Sequence, residues 1–282
     1  MNQPLSLQEK DARLGSILRE MGSALVAFSG GVDSTFVLLR AKQELGDNVV
    51  AVVAASETFP SREFDAAVQL AQDLDVKLIK TEVQELENAD FVKNDPSRCY
   101  HCKTGLYVHL KNMAAEHGYP YILDGSNVDD LGDYRPGLKA KNEQGVRSIL
   151  QEAGMTKEEI RQLSKEQGLP TWNKPSFACL SSRIPYGTKI EKHKIDQLDA
   201  AEEYLLKLGL YQVRVRHHDE IARIEVMPEE ISKLLEAREE IHQTFTKLGF
   251  KYVTLDLQGY RTGSMNEVLD RNVYASQTGE SN

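Results

Sequence analysis

Cysteine is scarce in this chain of 282 residues, which contains three: Cys99, Cys102 and Cys179. A small, odd number argues against a disulfide framework and favours metal binding or thiol chemistry. Long apolar runs are absent too, since no stretch approaches the roughly 20 apolar residues of a membrane helix. The first residues, MNQPLSLQEKDARLG, lack the apolar core of a signal peptide. We therefore expect a cytoplasmic protein with no membrane partner.

Basic residues are also fewer than acidic ones. Lys and Arg number 34 against 43 Asp and Glu, for a formal net charge of -9. Affinity for nucleic acid comes from clustered Lys and Arg, so this balance favours a small-molecule substrate. The length exceeds what one hydrophobic core comfortably supports. We predict two domains, residues 1–175 and 176–282.

Strands and helices alternate in the first part of the chain, which predicts an α/β fold with a parallel, doubly wound sheet. The predicted strands are 25–28, 48–54, 76–83 and 121–123, with a weaker fifth at 146–150. The predicted helices are 7–22, 33–45, 61–74, 105–117 and 156–167.

The pattern changes at 171–187, a stretch rich in Pro, Ser and Gly that is typical of a functional loop or linker. Beyond it we predict a smaller C-terminal α+β domain and a disordered tail, SQTGESN. Its predicted helices are 195–208 and 229–248, and its strands are 211–217, 221–226 and 252–257.

The sharpest motif is Ser29-Gly30-Gly31-Val32-Asp33-Ser34, set between a strand and a helix. Glycines let backbone N–H groups approach a phosphate, and the helix N-terminus adds N–H donors and partial positive charge. Asp33 could orient the loop or help hold Mg²⁺. The Lys-Ser/Thr ending of a Walker A loop is missing, as is the GxGxxG spacing of a dinucleotide site. The alternative is a plain glycine turn.

The segment AFSGGVDST resembles the PP-loop of the N-type ATP pyrophosphatases, which have the adenine nucleotide alpha hydrolase-like fold. Enzymes of this superfamily adenylylate a substrate oxygen with ATP and release pyrophosphate. The resemblance implies that the β- and γ-phosphates are bound by Ser29, Gly30, Gly31, Asp33 and Ser34. It places Asp124 and Gly125 beside the α-phosphate, and Ala54 and Ser56 near the adenine.

Four further segments resemble the LarE-type sulfur transferases over nearly the whole chain. They are LDGSNVDDLGDYRPGLKA, CLSSRIPYGTKI, VRVRHHDEIARIEV and YVTLDLQGYRTGSMN. The resemblance implies that the enzyme adenylylates the carboxylates of pyridinium-3,5-biscarboxylic acid mononucleotide and replaces oxygen by sulfur. The thiocarboxylate product would enter the nickel-pincer cofactor of lactate racemase. The resemblance also implies a homo-oligomer, with Glu202 and Glu225 as weak candidates for a metal at subunit contacts.

A pyridinium mononucleotide carries a phosphate and two carboxylates, which guanidinium groups bind through bidentate hydrogen bonds. Arg214 and Arg216 are two residues apart on a predicted strand, so both would point to one face. The alternative for this pair is a solvated surface. The candidate substrate residues are Lys103, Asp130, Ser182, Arg183, Arg214, Arg216 and Arg261.

Cys99 and Cys102 form a CxxC motif, and a distant Cys179 could complete a three-thiolate site. The resemblance implies two sulfur sources: a 4Fe-4S cluster with an open iron that carries an extra sulfide, or a sacrificial cysteine at the position of Cys179. We favour the cluster, with sulfide or another sulfur donor as partner. From spacing alone the alternatives are zinc, with His101 or His117, a redox pair, or two structural cysteines.

Two other functions share these features. A PP-loop enzyme with three cysteines could thiolate tRNA, although the acidic balance and the lack of an obvious RNA-binding domain count against it. A nucleotide-sensing or cluster-carrier protein would retain the loop for binding alone, and it would release no pyrophosphate with any substrate.

Overall fold

The computed structural model describes residues 5–132, 136–261 and 264–266. The predicted disordered tail lies outside these residues. The chain divides into two compact units. The first comprises the described residues of Met1–Glu85 and Cys99–Phe177, and the second those of Leu86–Arg98 and Ala178–Asn282. Sequence analysis drew a single boundary after residue 175 and did not anticipate that Leu86–Arg98 belongs to the second unit.

The described residues contain the following helices in chain order: α1 Leu7–Met21, α2 Val32–Leu45, α3 Ser61–Asp73, α4 Ala89–Val92, α5 Arg98–His117, α6 Pro136–Gln144, α7 Ile149–Glu152, α8 Lys157–Glu166, α9 Lys192–Lys207, α10 Ile231–Glu236 and α11 Arg238–Lys247. The strands are β1 Ala24–Ala27, β2 Val49–Ala55, β3 Lys77–Glu82, β4 Ile122–Leu123, β5 Val213–His218, β6 Ile221–Val226 and β7 Tyr252–Leu255. No described helix is long and apolar enough to cross a membrane.

The first unit is built on a parallel sheet of order β3-β2-β1-β4, which confirms the predicted α/β fold. Val26 of β1 pairs with Ala51 of β2 and with Leu123 of β4, so the central strand is flanked on both sides. Its side chains alternate between two layers of helices, as expected for a doubly wound sheet. Val26 belongs to the buried cluster that includes residues of α1, α2 and α8, whereas Leu25 belongs to the cluster that includes Tyr107 and Leu110 of α5.

The predicted fifth strand at 146–150 is wrong. Arg147 makes a single parallel bridge with Leu123, and Ile149 then begins the short helix α7. Ile149 and Leu150 are both fully buried. A short apolar run of this kind fits a buried helical turn as well as a buried strand, so periodicity alone could not separate them.

The second unit contains a three-stranded sheet of order β5-β6-β7. Strands β5 and β6 form an antiparallel hairpin whose turn contains Asp219 at φ 53°, and β7 adds parallel to β6. The predicted helix 229–248 is divided at Ala237 into α10 and α11. Neither Gly nor Pro marks this break, so the sequence carries no signal for it.

Candidate functional site

The phosphate-binding motif joins β1 to α2 as predicted. Gly31 is the residue before the helix, with extended backbone (φ −80°, ψ 170°) and no side-chain cap. Its carbonyl accepts the Thr35 backbone N–H at 3.0 Å and the Thr35 hydroxyl at 2.7 Å. The first N–H groups of α2 therefore have no side-chain acceptor from the capping residue, and such groups bind anions at helix N-termini.

Gly30 is required at its position for two reasons. Its backbone has φ +67°, a region that side chains other than Gly rarely adopt. A Cβ at this position would also lie 2.9 Å from the Cβ of Ala67 on α3. The loop can pass this close to α3 only without a side chain.

The two serines of the motif meet across the turn. Their hydroxyl oxygens lie 3.0 Å apart, and the Ser29 backbone N–H donates to the Ser34 hydroxyl at 3.3 Å. The Ser34 hydroxyl can donate in turn to the Gly31 carbonyl, at 3.3 Å. Both hydroxyls therefore lie at the start of α2, where a bound phosphate would accept hydrogen bonds from them.

The turn after β4 packs against the same end of α2. A Cβ on Gly125 would lie 2.9 Å from the Ser34 nitrogen and 3.2 Å from the Asp33 Cβ, so Gly alone fits. The structure thus brings together the two segments that sequence analysis assigned to the phosphates. It does so at the carboxyl ends of adjacent strands, where ligands bind in such sheets.

The carboxylate of Asp124 is buried and fully engaged as an acceptor. It accepts the Ser126 hydroxyl at 2.7 Å, the Tyr107 hydroxyl at 3.3 Å and the Ser148 hydroxyl. Burial is the main cause that raises the pKa of Tyr107 to about 12. The charge of Lys103 acts to lower this pKa, and the charge of Asp124 acts to raise it. Tyr107 therefore stays protonated and remains a donor to Asp124. This network holds the turn that carries Gly125 in place.

Two lysines next to the phosphate loop were missed by sequence analysis. The Lys157 ammonium forms an ion pair with Asp33, whose other oxygen accepts the Asn127 amide at 3.3 Å. The Lys174 ammonium donates to the Gly30 carbonyl at 3.1 Å and pairs with Glu63 at 2.7 Å. Both lysines lie more than 120 residues from the motif in the chain, so nothing in the sequence connects them to it.

Hydrogen bonds link the segment after β2, where the resemblance places the adenine, to Cys102. Ala54 and Ser56 are half-buried there, and the Ser56 carbonyl accepts the Phe59 N–H at 3.1 Å. The buried Thr58 hydroxyl donates to Glu85, whose other oxygen accepts the Cys102 thiol at 2.8 Å. Sequence analysis did not identify Glu85 as the residue that joins Thr58 to Cys102. The adenine contacts of Ala54 and Ser56 remain predictions.

Cys99 and Cys102 lie near the start of α5, which begins seven residues before the predicted helix. Residues three apart on a helix share a face, so the two thiols are neighbours. Each of the three cysteines is half-buried and outside a disulfide, and this chemistry suits thiolate ligation of an iron–sulfur cluster. Within residues 5–132, 136–261 and 264–266, however, no three His, Cys, Asp or Glu side chains are grouped to hold a metal.

Two weaker substrate candidates of the first unit have local contacts. The Lys103 ammonium lies 5.4 Å from the centre of the Tyr107 ring. Asp130 accepts the Asn127 N–H at 2.9 Å and so stabilises the turn after β4. Their contacts with a substrate remain predictions.

In the second unit, Cys179 precedes a short 3-10 turn, Leu180–Arg183. Its sulfur lies 3.0 Å from the Ser181 hydroxyl, and its carbonyl accepts the Ser182 hydroxyl at 2.8 Å. The Arg183 side chain is 1% exposed. Its guanidinium donates to the carbonyls of Ala178 at 2.6 Å and Cys179 at 2.8 Å. Arg183 therefore fixes the segment that carries Cys179.

Glu202 of α9 neutralises Arg183 through two parallel contacts of 2.9 and 3.0 Å, and it is also 1% exposed. Burial, the largest single cause, acts to raise the pKa of Glu202, but the charge and hydrogen bonds of Arg183, the charge of Arg214 and the Val215 N–H together lower it. Burial likewise acts to lower the pKa of Arg183, but the charge and hydrogen bonds of Glu202, with smaller contributions from Cys179 and Tyr260, together raise it. Both groups stay charged. Glu202 is therefore a buried residue and not a surface group.

The arginines on β5 are buried, so the alternative of a solvated pair is wrong. Arg216 is 5% exposed and donates to Glu225 at 2.7 Å, to Ser264 at 2.8 Å and to the Ser182 carbonyl at 3.2 Å. Glu225 is fully buried, so it is not a surface group either. The alternation of hydrophobic and polar residues in VRVRHH could not reveal this, because it does not show that Glu225 of β6 is buried beside Arg216.

Arg214 is 7% exposed and stacks over Tyr260, with 5.4 Å from its guanidinium carbon to the ring centre. Burial first, then the charge of Arg183, lowers the pKa of Arg214 to about 10. Arg261 pairs with Asp256 at 3.1 Å. Arg183, Arg214 and Arg216 thus belong to one charged cluster of the second unit, whereas the contacts of any of them with substrate remain predictions.

Sequence analysis also missed Asn94 and Arg98, which hold the segment after Cys179 through hydrogen bonds. Asn94 is fully buried at φ 57°, and its amide donates to the carbonyls of Pro185 and Thr188, each at 2.8 Å. Arg98 donates to the Ser181 carbonyl at 3.0 Å.

A parallel sheet with this loop and a glycine turn beside it defines a PP-loop ATP-dependent enzyme. The family model described as NAD synthase matches residues 8–104. The chain is 45% identical over 267 residues to the pyridinium-3,5-bisthiocarboxylic acid mononucleotide synthase of Lactiplantibacillus plantarum, covering 94% of this chain and 97% of that protein. It is 43% identical over 267 residues to an uncharacterized protein of Synechocystis sp., slr1717, covering 94% of this chain and 100% of that protein. A Methanocaldococcus jannaschii protein, MJ0830, is 28% identical over 84% of this chain and 90% of its own length. The chain therefore belongs to the LarE-type family of ATP-dependent sulfur transferases.

Proposed function

We propose that the enzyme converts the carboxylates of pyridinium-3,5-biscarboxylic acid mononucleotide to thiocarboxylates, with ATP and Mg²⁺. The main support is the identity of 45% over 97% of a relative whose name states that product. The product would be used to build the nickel-pincer nucleotide cofactor of lactate racemase. We further propose a cytoplasmic homo-oligomer, which agrees with a chemistry that needs reduced thiols.

The first step is transfer of AMP to the substrate. A carboxylate oxygen attacks the α-phosphorus, the bond to the bridging oxygen breaks, and pyrophosphate leaves. The start of α2 and the hydroxyls of Ser29 and Ser34 would bind the leaving pyrophosphate, whose growing charge a helix N-terminus stabilises. The turn at Asp124-Gly125 would lie beside the α-phosphate.

In the second step a sulfur nucleophile attacks the acyl carbon and AMP leaves with the original carboxylate oxygen, which gives the thiocarboxylate. The acyl-adenylate is activated because AMP is a far better leaving group than oxide. Two rounds convert both carboxylates.

The substrate is anionic, and the charged cluster of the second unit supplies guanidinium groups of the kind that bind phosphate and carboxylate. We propose Arg214, which lies over the Tyr260 ring, as the arginine of the three that contacts the substrate. Arg183 and Arg216 are engaged with Glu202 and Glu225 and would act by positioning the cluster. Lys103, Asp130, Ser182 and Arg261 are further candidates.

For the sulfur source we propose a 4Fe-4S cluster held by Cys99, Cys102 and Cys179, which would supply an exchangeable sulfide. Support comes from the CxxC motif on one turn of α5 and from the absence of disulfides among these three thiols. The competing source is the Cys179 sulfur itself. If a Cys99→Ala variant retains the full iron content after anaerobic reconstitution, the three-cysteine cluster is wrong.

The function is tested by pyrophosphate release from anaerobic protein and ATP. We expect release with the pyridinium biscarboxylate mononucleotide and none with tRNA. Release with tRNA alone, together with tRNA retention that falls steeply with salt, would instead identify a tRNA thiolation enzyme. Absence of release with either substrate would favour a nucleotide-binding carrier.

A further inference from the structure

We propose that Lys157 is a pyrophosphate-binding residue, which exchanges the Asp33 carboxylate for the β- and γ-phosphates when ATP binds. The proposal rests on the proposed function, because it takes the loop at Ser29–Ser34 as the phosphate site. It assigns to this reaction a residue that the sequence motif does not contain.

The need for a cation follows from the charges at the loop. The motif has no lysine, and its surroundings include the carboxylates of Asp33 and Asp124. A helix N-terminus contributes a partial charge of only about +0.5. The triphosphate of ATP is a strong polyanion, so a neighbouring ammonium is required to offset both it and the carboxylates.

The Lys157 side chain is well suited to move from Asp33 to the phosphates. Its ammonium is paired with Asp33, and the two side chains are 34% and 21% exposed. A partly solvated ion pair of this kind contributes little stability, so exchange of partners is inexpensive. Lys174 is a poorer candidate because it is already held by Glu63 at 2.7 Å and by the Gly30 carbonyl.

The backbone beneath Lys157 is fixed, so that only its side chain needs to move. The Lys157 N–H donates to Asp129 at 2.6 Å at the start of α8. Thr156 and Glu159 form a capping box there, and Lys10 pairs with Glu159 at 2.7 Å. When Lys157 turns to the phosphates, the Asp33 oxygen it leaves becomes available, and carboxylate oxygens suit Mg²⁺.

The test is calorimetric binding of inorganic pyrophosphate and, separately, of AMP to the wild-type protein and three variants. Lys157→Gln should weaken pyrophosphate binding about tenfold or more, the usual loss for a hydrogen bond to a charged group. It should leave AMP binding unchanged, because AMP lacks the β- and γ-phosphates. Lys157→Arg, which keeps the charge, should retain most of the pyrophosphate affinity.

Lys42→Gln is the matched control, since it removes another lysine–carboxylate pair of the first unit, Lys42–Asp47, at the end of α2 opposite the phosphate loop. It should change neither affinity. The proposal is overturned if Lys157→Gln binds pyrophosphate like the wild type, or if it loses pyrophosphate and AMP equally. If the wild type binds pyrophosphate yet makes no thiocarboxylate, the proposed function fails and the role of Lys157 in phosphate binding stands.

Discussion

Removing the charge of Glu202 should destabilise the second unit more than any surface substitution. In a Glu202→Gln variant, the Arg183 guanidinium would remain 1% exposed without its counter-charge. Breaking a buried pair by removing one partner costs about 3–5 kcal/mol, because an uncompensated charge remains in the interior. Gln can still accept the Val215 N–H, which Glu202 accepts at 3.0 Å, so the loss would arise mainly from charge.

A double-mutant cycle isolates the pair. Arg183→Met also removes the donors to the Ala178 and Cys179 carbonyls, so it should be costly by itself. The double variant should nevertheless cost about 2–3 kcal/mol less than the sum of the single variants, since the two charges can be lost together.

The assay is urea unfolding followed by circular dichroism, with the rate of Cys179 alkylation under native conditions as a second measurement. Lys192→Gln serves as control, because the Lys192–Asp196 pair is 69% and 60% exposed and should contribute under about 1 kcal/mol. Arg183→Met should accelerate alkylation, since the segment around Cys179 loses its anchor. Additive energies in the cycle, or unchanged alkylation, would refute the account of Arg183 as the residue that fixes this segment.

Two further outcomes are expected. Gly125→Ala would place a Cβ 2.9 Å from the Ser34 nitrogen, so it should lower stability by about 1–3 kcal/mol and weaken ATP binding, measured by calorimetry; unchanged ATP affinity would contradict the packing argument. His217 is buried, and burial first, then the Lys194 charge, lowers its pKa to about 4. The unfolded state therefore binds the proton first, so the stability present above pH about 6.5 should fall as the pH drops towards 4. In a His217→Gln variant, the urea midpoint should fall less as the pH drops through this range. A midpoint that falls as steeply as in the wild type would exclude His217 as the cause.

The phosphate loop was predictable because its chemistry is local. Six consecutive residues between a strand and a helix define the turn, and the conformation of Gly30 follows from the same few residues. The Asp124-Gly125 turn was also accessible, since parallel strands end at one edge of a sheet.

The partners of the charged residues could not be predicted. Lys157 meets Asp33 across 124 residues, and Arg183 meets Glu202 across 19, through contacts that only the folded chain creates. Arginine is usually exposed, so a solvated pair stood as the alternative for Arg214 and Arg216, whereas their burial depends on acidic groups and Tyr260. The helix around Cys99 and Cys102 was missed because its first turns lack an apolar period.

The most direct test of the sulfur-transfer account is one anaerobic reaction in which the amount of product and the mass of the protein chain are both measured. Reconstituted protein, ATP and the pyridinium biscarboxylate mononucleotide are incubated with sulfide, and both are analysed by mass spectrometry. The account predicts one pyrophosphate per thiocarboxylate, more thiocarboxylate than protein chains, and an unchanged chain mass. A chain lighter by one hydrogen sulfide would show that Cys179 is consumed, and absence of thiocarboxylate would contradict the proposed function itself.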